Sequence, residues 1–487
     1  MSQIRVNDLT FHYDGSYDNI FEHTSFSIDT SWKLGFVGRN GRGKTTFLKL
    51  LMGEHDCAGA ISSSVAFDYF PFPVADTNLT TEAVFASVSG APRWRLEKEL
   101  NLLDVDSDVL DRAFSTLSPG EQTKVLLAAL FSISGHFLLI AGPTNHLDMD
   151  ARAVVSRYLN GKQGFLLVSH DRAFLDGCVD HILSINRASI EVQKGNFSSW
   201  EENRRRQDHF ELAENDRLVH EISDLRAAAK RTAEWSDRVE RSKIGEHSLD
   251  RGFIGAQSAR VMKRAKASER RQENAAKEKE KLLKDLERND TLKVTPLFHH
   301  ADILVEALDL SIAYGERIVC GPLDFTLRQG ERAALLGKNG SGKSSIVKLL
   351  LGEEIPHTGT LRTASGLIIS YMPQDTSFLS GTVLDFARAN GLDETLFLTI
   401  LRKLDFPRVQ FEKDMRTFSG GQKKKALLAK TLSERAHVYV WDEPLNFIDV
   451  LSRMQIRDLL LAARPAMLFV EHDKTFVDEI ATRVIRL

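Results

Sequence analysis

The chain has 487 residues, more than the roughly 100 to 200 of one ordinary domain, so two or three domains are expected. Hydrophobic residues at 42% and charged residues at 27% exclude a mostly disordered or fibrous chain. A net charge of only -3 requires any nucleic-acid contact to rest on a local basic patch. Cys57, Cys178 and Cys320 form no CxxC pair, which argues against a disulfide scaffold and fits a reducing cytoplasm. No run reaches the roughly 18 uncharged apolar residues of a membrane helix, and the first residues carry no apolar signal region, so a protein neither spanning a membrane nor exported is expected.

In chain order, the first segment, residues 1–197, alternates short apolar runs (KLGFVG, HFLLIAG, GFLLVS) with Gly-rich or polar turns and helical patterns. That is α/β with a largely parallel sheet. Gly38-x4-Gly43-Lys44-Thr45 follows the first apolar run, with Asn40 and Gly41 inside the loop and Thr46 beyond it. Such glycines let backbone N–H groups turn inward around phosphates, the lysine reaches the β and γ oxygens, and the hydroxyl of Thr45 takes magnesium at a helix N-terminus. Downstream come Ser118-Pro119-Gly120-Glu121 before a helical run, LLIAGPTNHLD with Asn145, and His170 in LLVSHDRAF. Tyr13 or Tyr17 could stack on adenine or serve equally as a core or edge aromatic.

Residues 198–297 change character: Arg, Lys, Glu and Ala dominate, with no proline before Pro296. Val261, Ala265, Ser268, Ala275, Leu282 and Leu286 follow three-, four- and seven-residue steps, as do Leu218, Ile222 and Leu225 in the first half, which predicts a helix, a turn and a returning helix. Arms of about 40 residues would each reach roughly 60 Å. Around the expected turn, cations including Arg251, Arg260, Lys263 and Arg264 outnumber carboxylates, and Phe253 and Ile254 sit between Gly252 and Gly255. Basic groups beside an exposed aromatic suit RNA contact, phosphates meeting cations and a base meeting the ring; the bland alternative is a solvated spacer.

Residues 298–487 repeat the first segment after about 300 positions, a period the size of a domain plus a spacer. Gly337-x4-Gly342-Lys343-Ser344, with Asn339, Gly340 and Ser345, repeats the phosphate loop; Ser419-Gly420-Gly421-Gln422 repeats the second motif; YVWDEPLNFID and LFVEHDKTF repeat the other two. Four motifs recurring in order at nearly equal separations do not arise by chance. Tyr314 is the counterpart adenine candidate.

These motifs together resemble the ATP-binding cassette family. The resemblance implies a head-to-tail sandwich with two ATP molecules at the interface, so that Lys44 works with Ser419 and Lys343 with Ser118. Tandem cassettes, the charged hairpin between them and GNFSSW at Gly195 to Trp200 are similar to the ABC-F subfamily of ribosome-acting ATPases. FHYDGSYDNIF, GRNGRGKTTF, LSPGEQTKVLLAALF, RGFIG and EPLNFID further resemble its branch that protects ribosomes from lincosamides, streptogramin A compounds and pleuromutilins. In the second cassette Asp442 would hold magnesium, Glu443 would orient and activate the attacking water, and Gln374 and His472 would sense the γ-phosphate, Gln374 also lying beside the metal. In the first, Ala141 and Gly142 stand in place of the two carboxylates and Phe72 in place of Gln374, so hydrolysis there is expected to be severely impaired while ATP still binds.

The resemblance implies ATP and Mg2+ as cofactors and the ribosome as partner, with the linker tip nearing 23S rRNA at the peptidyl-transferase centre. It also implies a cytoplasmic protein without membrane contact, whose two cassettes pair within a chain that is a monomer off the ribosome. A housekeeping ABC-F translation factor and the ATPase subunit of an importer are the alternative readings.

Overall fold

The computed structural model describes residues 2–13, 19–133, 135–144, 147–185, 190–241, 263, 266–268, 270–271, 274–275, 292–315, 317–338 and 340–487. They divide into two compact units, Met1–Trp200 with Asn289–Leu487, and Glu201–Arg288.

The first unit holds both repeats. In the first copy the strands Ala66–Phe70, His136–Ala141, Phe165–Val168, Lys33–Val37 and His181–Ile185 lie side by side in that order and run parallel, and Ile190–Lys194 closes the edge antiparallel. In the second copy Ile369–Met372, Val438–Asp442, Met467–Val470, Arg332–Leu336 and Arg483–Arg486 form a parallel sheet in the same order. Strands covered on both faces need apolar residues at successive positions. Val438–Asp442 is buried at every one.

Each copy also carries a three-stranded antiparallel sheet, Phe21–Asp29, Gln3–Phe11 and Ala58–Ser63 in the first and Arg317–Arg328, Ile303–Tyr314 and His357–Thr363 in the second. Reading only the apolar runs passes over these strands, because at most one face of each is covered, and Ala58–Ser63 and His357–Thr363 are exposed at all but Ile61 and Leu361. Gln3–Phe11 buries Ile4, Val6, Leu9 and Phe11 and leaves most of the residues between them exposed.

The copies share apolar contacts. Val450, Leu451 and Met454, on the second-copy helix Val450–Ala463, belong to the same buried cluster as Leu126, Leu159 and Phe174 of the first. Arg172 pairs with Glu479 at 3.2 Å and Arg42 with Asp405 at 3.3 Å.

The chain leaves the first copy through the helix Phe197–Arg241, whose 45 residues extend about 68 Å at 1.5 Å each. GNFSSW is its start: Asn196 Oδ1 accepts from Ser199 N at 3.1 Å, while Phe197 and Trp200 are buried with ring centroids 5.3 Å apart. In the second unit Glu201 and Glu202 pair with Arg205 and Arg206, and Arg217 with Glu221, each at i, i+4. Lys263 is helical and exposed. Arg251, Phe253, Ile254, Arg260 and Arg264 lie outside the described residues. Leu292 and Val294, assigned to the linker on composition, pack into the core of the second copy. Among the described residues no helix is long and apolar enough to cross a membrane.

Candidate nucleotide-binding sites

Both phosphate loops leave the carboxyl end of a central parallel strand, where α/β sheets bind ligands. Gly43 and Gly342 cap the helices Lys44–Leu51 and Lys343–Leu350 with φ of 88° and 90°, a left-handed geometry that favours glycine. A Cβ on Gly43 would also lie 2.3 Å from Ile20. Lys44 Nζ donates to the Gly38 and Arg39 carbonyls at 2.7 and 2.9 Å, and Lys343 Nζ to those of Gly337 and Lys338 at 2.8 and 2.9 Å. Burial lowers Lys44 to about 8, against the opposing charge of Asp449. Tyr13 Oη lies 2.9 Å from Thr46 Oγ1 and Tyr314 Oη 3.0 Å from Ser345 Oγ, both rings partly exposed. Tyr17, Asn145 and Asn339 lie outside the described residues.

The second motifs are helix starts. Ser118 caps Pro119–Phe131 and Ser419 caps Gly420–Ser433, each in a reciprocal box with Glu121 or Gln422. Each faces the other copy. Asn40 Nδ2 donates to the Phe447 carbonyl at 2.7 Å, and a Cβ on Gly421 would lie 2.8 Å from that same nitrogen. On the opposite side, a cavity of about 690 Å³ is lined by Ser118, Gly120, Glu121 and Asp148 from the first copy and Lys338, Gln374, Glu443 and His472 from the second. The structure thus brings Asn40 to Gly421 and Ser118 to Gln374, Glu443 and His472, each pair drawn from opposite copies.

Around that cavity the second copy is charged. Glu443 follows the strand end Asp442 with a left-handed φ of 48°. Asn446 Nδ2 donates to Glu443 Oε2, and His472 Nε2 stands 3.6 Å from Glu443 Oε1. Burial would raise Glu443, but His472 at that distance, with Gln374 and Lys424 behind it, lowers it overall. The carboxylate is therefore ionised and able to accept a proton. Burial, reinforced by Glu443, raises Asp442, against the Ser344 hydroxyl and the lysines Lys424 and Lys343. Asp442 Oδ1 is buried without a hydrogen-bond partner, with the Ser344 hydroxyl beside the carboxylate. An orphaned carboxylate oxygen beside a phosphate-loop hydroxyl fits a divalent cation.

The first copy lacks these groups. Ala141 and Phe72 pack against apolar clusters, and Gly142 repeats the left-handed backbone with φ 61°. Thr45 is exposed, and Ala141 offers it no carboxylate partner for a metal. Burial, with the charges of Lys44 and Arg453, drives His170 well below 6.5, so its ring is neutral.

Three further groups escape a motif search. Lys424 and Glu471 are buried beside Asp442 and His472, and Arg152 of the first copy donates to the His472 carbonyl at 3.0 Å as well as to Asp171 at 2.8 Å. Aligning the repeats position by position is the available signal for the first two, since Thr123 and Ser169 stand in their places.

Residues 21–145 and 320–446, together just over half of the chain, match the ABC transporter family model. The chain belongs to the ABC transporter family. Among its ABC relatives, the ATP-binding protein YdiF of Bacillus subtilis is 27% identical over 100% of this chain and 80% of its own length. The ribosome protection protein VmlR of the same organism is 27% identical over 96% of the chain and 84% of its own. The energy-dependent translational throttle protein EttA of Escherichia coli is 26% identical over 96% and 89%. The fold is shared with archaeal ABCE1, solved in complex with a ribosomal stalk protein: TM-score 0.64 and 20% identity over 98% of this chain and 87% of that one. The two ABC cassettes are thus tandem copies in one chain.

Proposed function

We propose that this chain is an ABC-F type ATPase that binds the ribosome and protects it from antibiotics of the peptidyl-transferase centre, hydrolysing ATP at the second site. The observation that carries the hydrolytic reading is the composite cavity, where the capped helix at Ser118 faces an ionised Glu443. ATP on the Lys343 loop, held through Gly337, Gly340, Gly342, Ser344 and Ser345, would present its γ-phosphate between Ser118 and Gly120 of one cassette and Gln374 and His472 of the other. Mg2+ bound by Ser344 and Asp442, with Gln374 nearby, would neutralise charge on the β and γ oxygens. Glu443 accepts the proton of the attacking water, and His472 orients Glu443 and contacts the γ-phosphate. At the first site Gly38, Gly41, Gly43, Lys44 and Thr45 hold ATP against Ser419, Gly420, Gly421 and Gln422 without a base to cleave it.

Because each γ-phosphate bonds both cassettes only when they meet, ATP favours the joined state, and differential affinity is what shifts the population. The ribosome enters this reading through the names of VmlR and EttA and through the basic composition around residues 251–264. Joined cassettes would present the linker tip around Phe253 to 23S rRNA and so disfavour the drug. EttA, at similar identity, favours a second reading, a translation factor without a drug role.

One experiment separates them. Expression in a drug-sensitive bacterium is expected to raise the inhibitory concentration of a lincosamide and a pleuromutilin, and Glu443→Gln is expected to lower turnover by roughly 10² to 10⁴ and to trap ribosomes with ATP. Unchanged drug sensitivity with ribosome trapping retained would favour the translation factor; turnover undiminished in Glu443→Gln would defeat the site assignment.

A further inference from the structure

The two copies differ in concert around the strand end that carries Asp442. Lys424, Asp442, Glu443 and Glu471 stand where the first copy has Thr123, Ala141, Gly142 and Ser169. One cation and three carboxylates on one side answer to four uncharged groups on the other. Lys424 is 2% exposed, and a cation so buried persists only where charge and hydrogen bonds compensate. Glu471, Asp442, Glu443 and Asp375 supply the charge.

The hydrogen bonds are to main chain. Lys424 Nζ donates to the Pro373 carbonyl at 3.1 Å and, at 3.5 Å, to that of Asp442. Pro373 precedes Gln374 and Asp442 precedes Glu443, so one ammonium group tethers the backbone beside both. In the first copy Thr123 turns its hydroxyl back to the Pro119 carbonyl of its own helix at 2.9 Å. The helix Gly420–Ser433 that carries Lys424 starts at the other site, where Gly421 faces Asn40 of the first phosphate loop. Lys424 follows Gly421 by about one helical turn.

We propose that Lys424 is a positioning residue that holds the backbone at Gln374 and Glu443 in place for hydrolysis at the second site and makes that hydrolysis depend on nucleotide at the first. The inference rests on the second site being the hydrolytic one. Nucleotide on the Lys44 loop acts on the Ser419 end of the helix. A single rigid turn carries that displacement to the ammonium group, and the two carbonyls follow it. The first copy, with threonine in this place, has no such tether to transmit the reverse signal.

The test is steady-state ATP turnover by the full chain with Mg2+, comparing wild type, Lys44→Ala, Lys424→Met and the double variant. Methionine fills similar volume without charge or donor. Lys424→Met is expected to lower kcat at least about tenfold with KM within about twofold, the split of a group that acts on the reacting geometry and not on binding. Lys44→Ala is expected to lower kcat in wild type and to lower it no further in Lys424→Met. If Lys424→Met no longer binds a fluorescent ATP analogue, Lys424→Arg carries the test, with the response to Lys44→Ala expected to persist in it. An unchanged kcat in Lys424→Met, a loss confined to KM, or additive effects of the two substitutions would overturn the inference. Wild type without turnover overturns the ATPase reading itself, a result visible before any variant is made.

Discussion

Asp449 shows how strongly a single buried group is committed. It is fully buried, paired to Lys425 at 3.1 Å, and accepts from Ser452 N at 2.9 Å and Ser452 Oγ at 3.0 Å. Burial alone would raise its pKa, but Lys425, Lys44 and the Ser452 N–H outweigh burial and hold the carboxyl below its ordinary 3.8. A carboxylate depressed in the folded state contributes stability above its unfolded pKa and loses it as pH falls through the folded one. Asp449→Asn is therefore expected to cost about 3 to 5 kcal/mol at neutral pH, because it strands the Lys425 charge. Urea denaturation followed from about pH 5 downward should show the gap to wild type closing. Its counterpart Asp148 is only half-buried, capping the helix Met149–Asn160 through Ala151 N. Sequence spacing pairs the two aspartates, and both cap their helices; only packing adds the buried ion pair with Lys425 at Asp449.

Among elements, the helices at Ser118 and Ser419 were the most legible. Serine followed three residues later by Glu or Gln, ahead of an apolar run, is the pattern of a reciprocal helix start, and both boxes form. Ser419→Ala is expected to lower stability by about 1 kcal/mol, read from the shift in denaturation midpoint. Gln422→Ala, which removes only the returning bond to Ser419 N, should cost less. The central parallel strands Lys33–Val37, His136–Ala141 and Phe165–Val168 were equally legible, because burial on both faces leaves continuous apolar runs, whereas the edge strand Ala66–Phe70, partly exposed and carrying Asp68, was not. The antiparallel strands were not, since polar residues such as Asn7 and Asp8 in the first copy and Glu306 and Asp309 in the second interrupt their apolar positions. The long helix Phe197–Arg241 was visible in its composition, but its anchoring by Phe197 and Trp200 was not, since GNFSSW shows no periodicity of its own.

For the whole molecule, the first and second cassettes are joined by more than the nucleotide sites. Arg152 crosses to the His472 carbonyl, whereas Arg453 donates to Asp473 and to the Leu445 and Ile448 carbonyls of its own copy. ATP with Mg2+ at about 100 times its Kd is expected to stabilise the protein by roughly 2.7 kcal/mol per site, seen as a rise in melting temperature. Lys343→Ala should remove the contribution of the second site and leave that of the first.

The residues of this chain by themselves determined that it contains two α/β repeats, each with a GxxxxGK[ST] loop, and that only the second carries an Asp-Glu pair at the strand end where the first has Ala141 and Gly142. That much is local chemistry: a glycine loop, a lysine and a strand-end Asp-Glu need only their neighbours in sequence. Which cation lies beneath those carboxylates, which arginine reaches the opposite cassette and how far each aspartate is buried were decided by tertiary structure. Desolvation and charge pairing depend on groups that meet only on folding: Lys424 lies 18 positions from Asp442 within its own copy, whereas Arg152 and His472 are 320 positions apart and meet where the two copies pack.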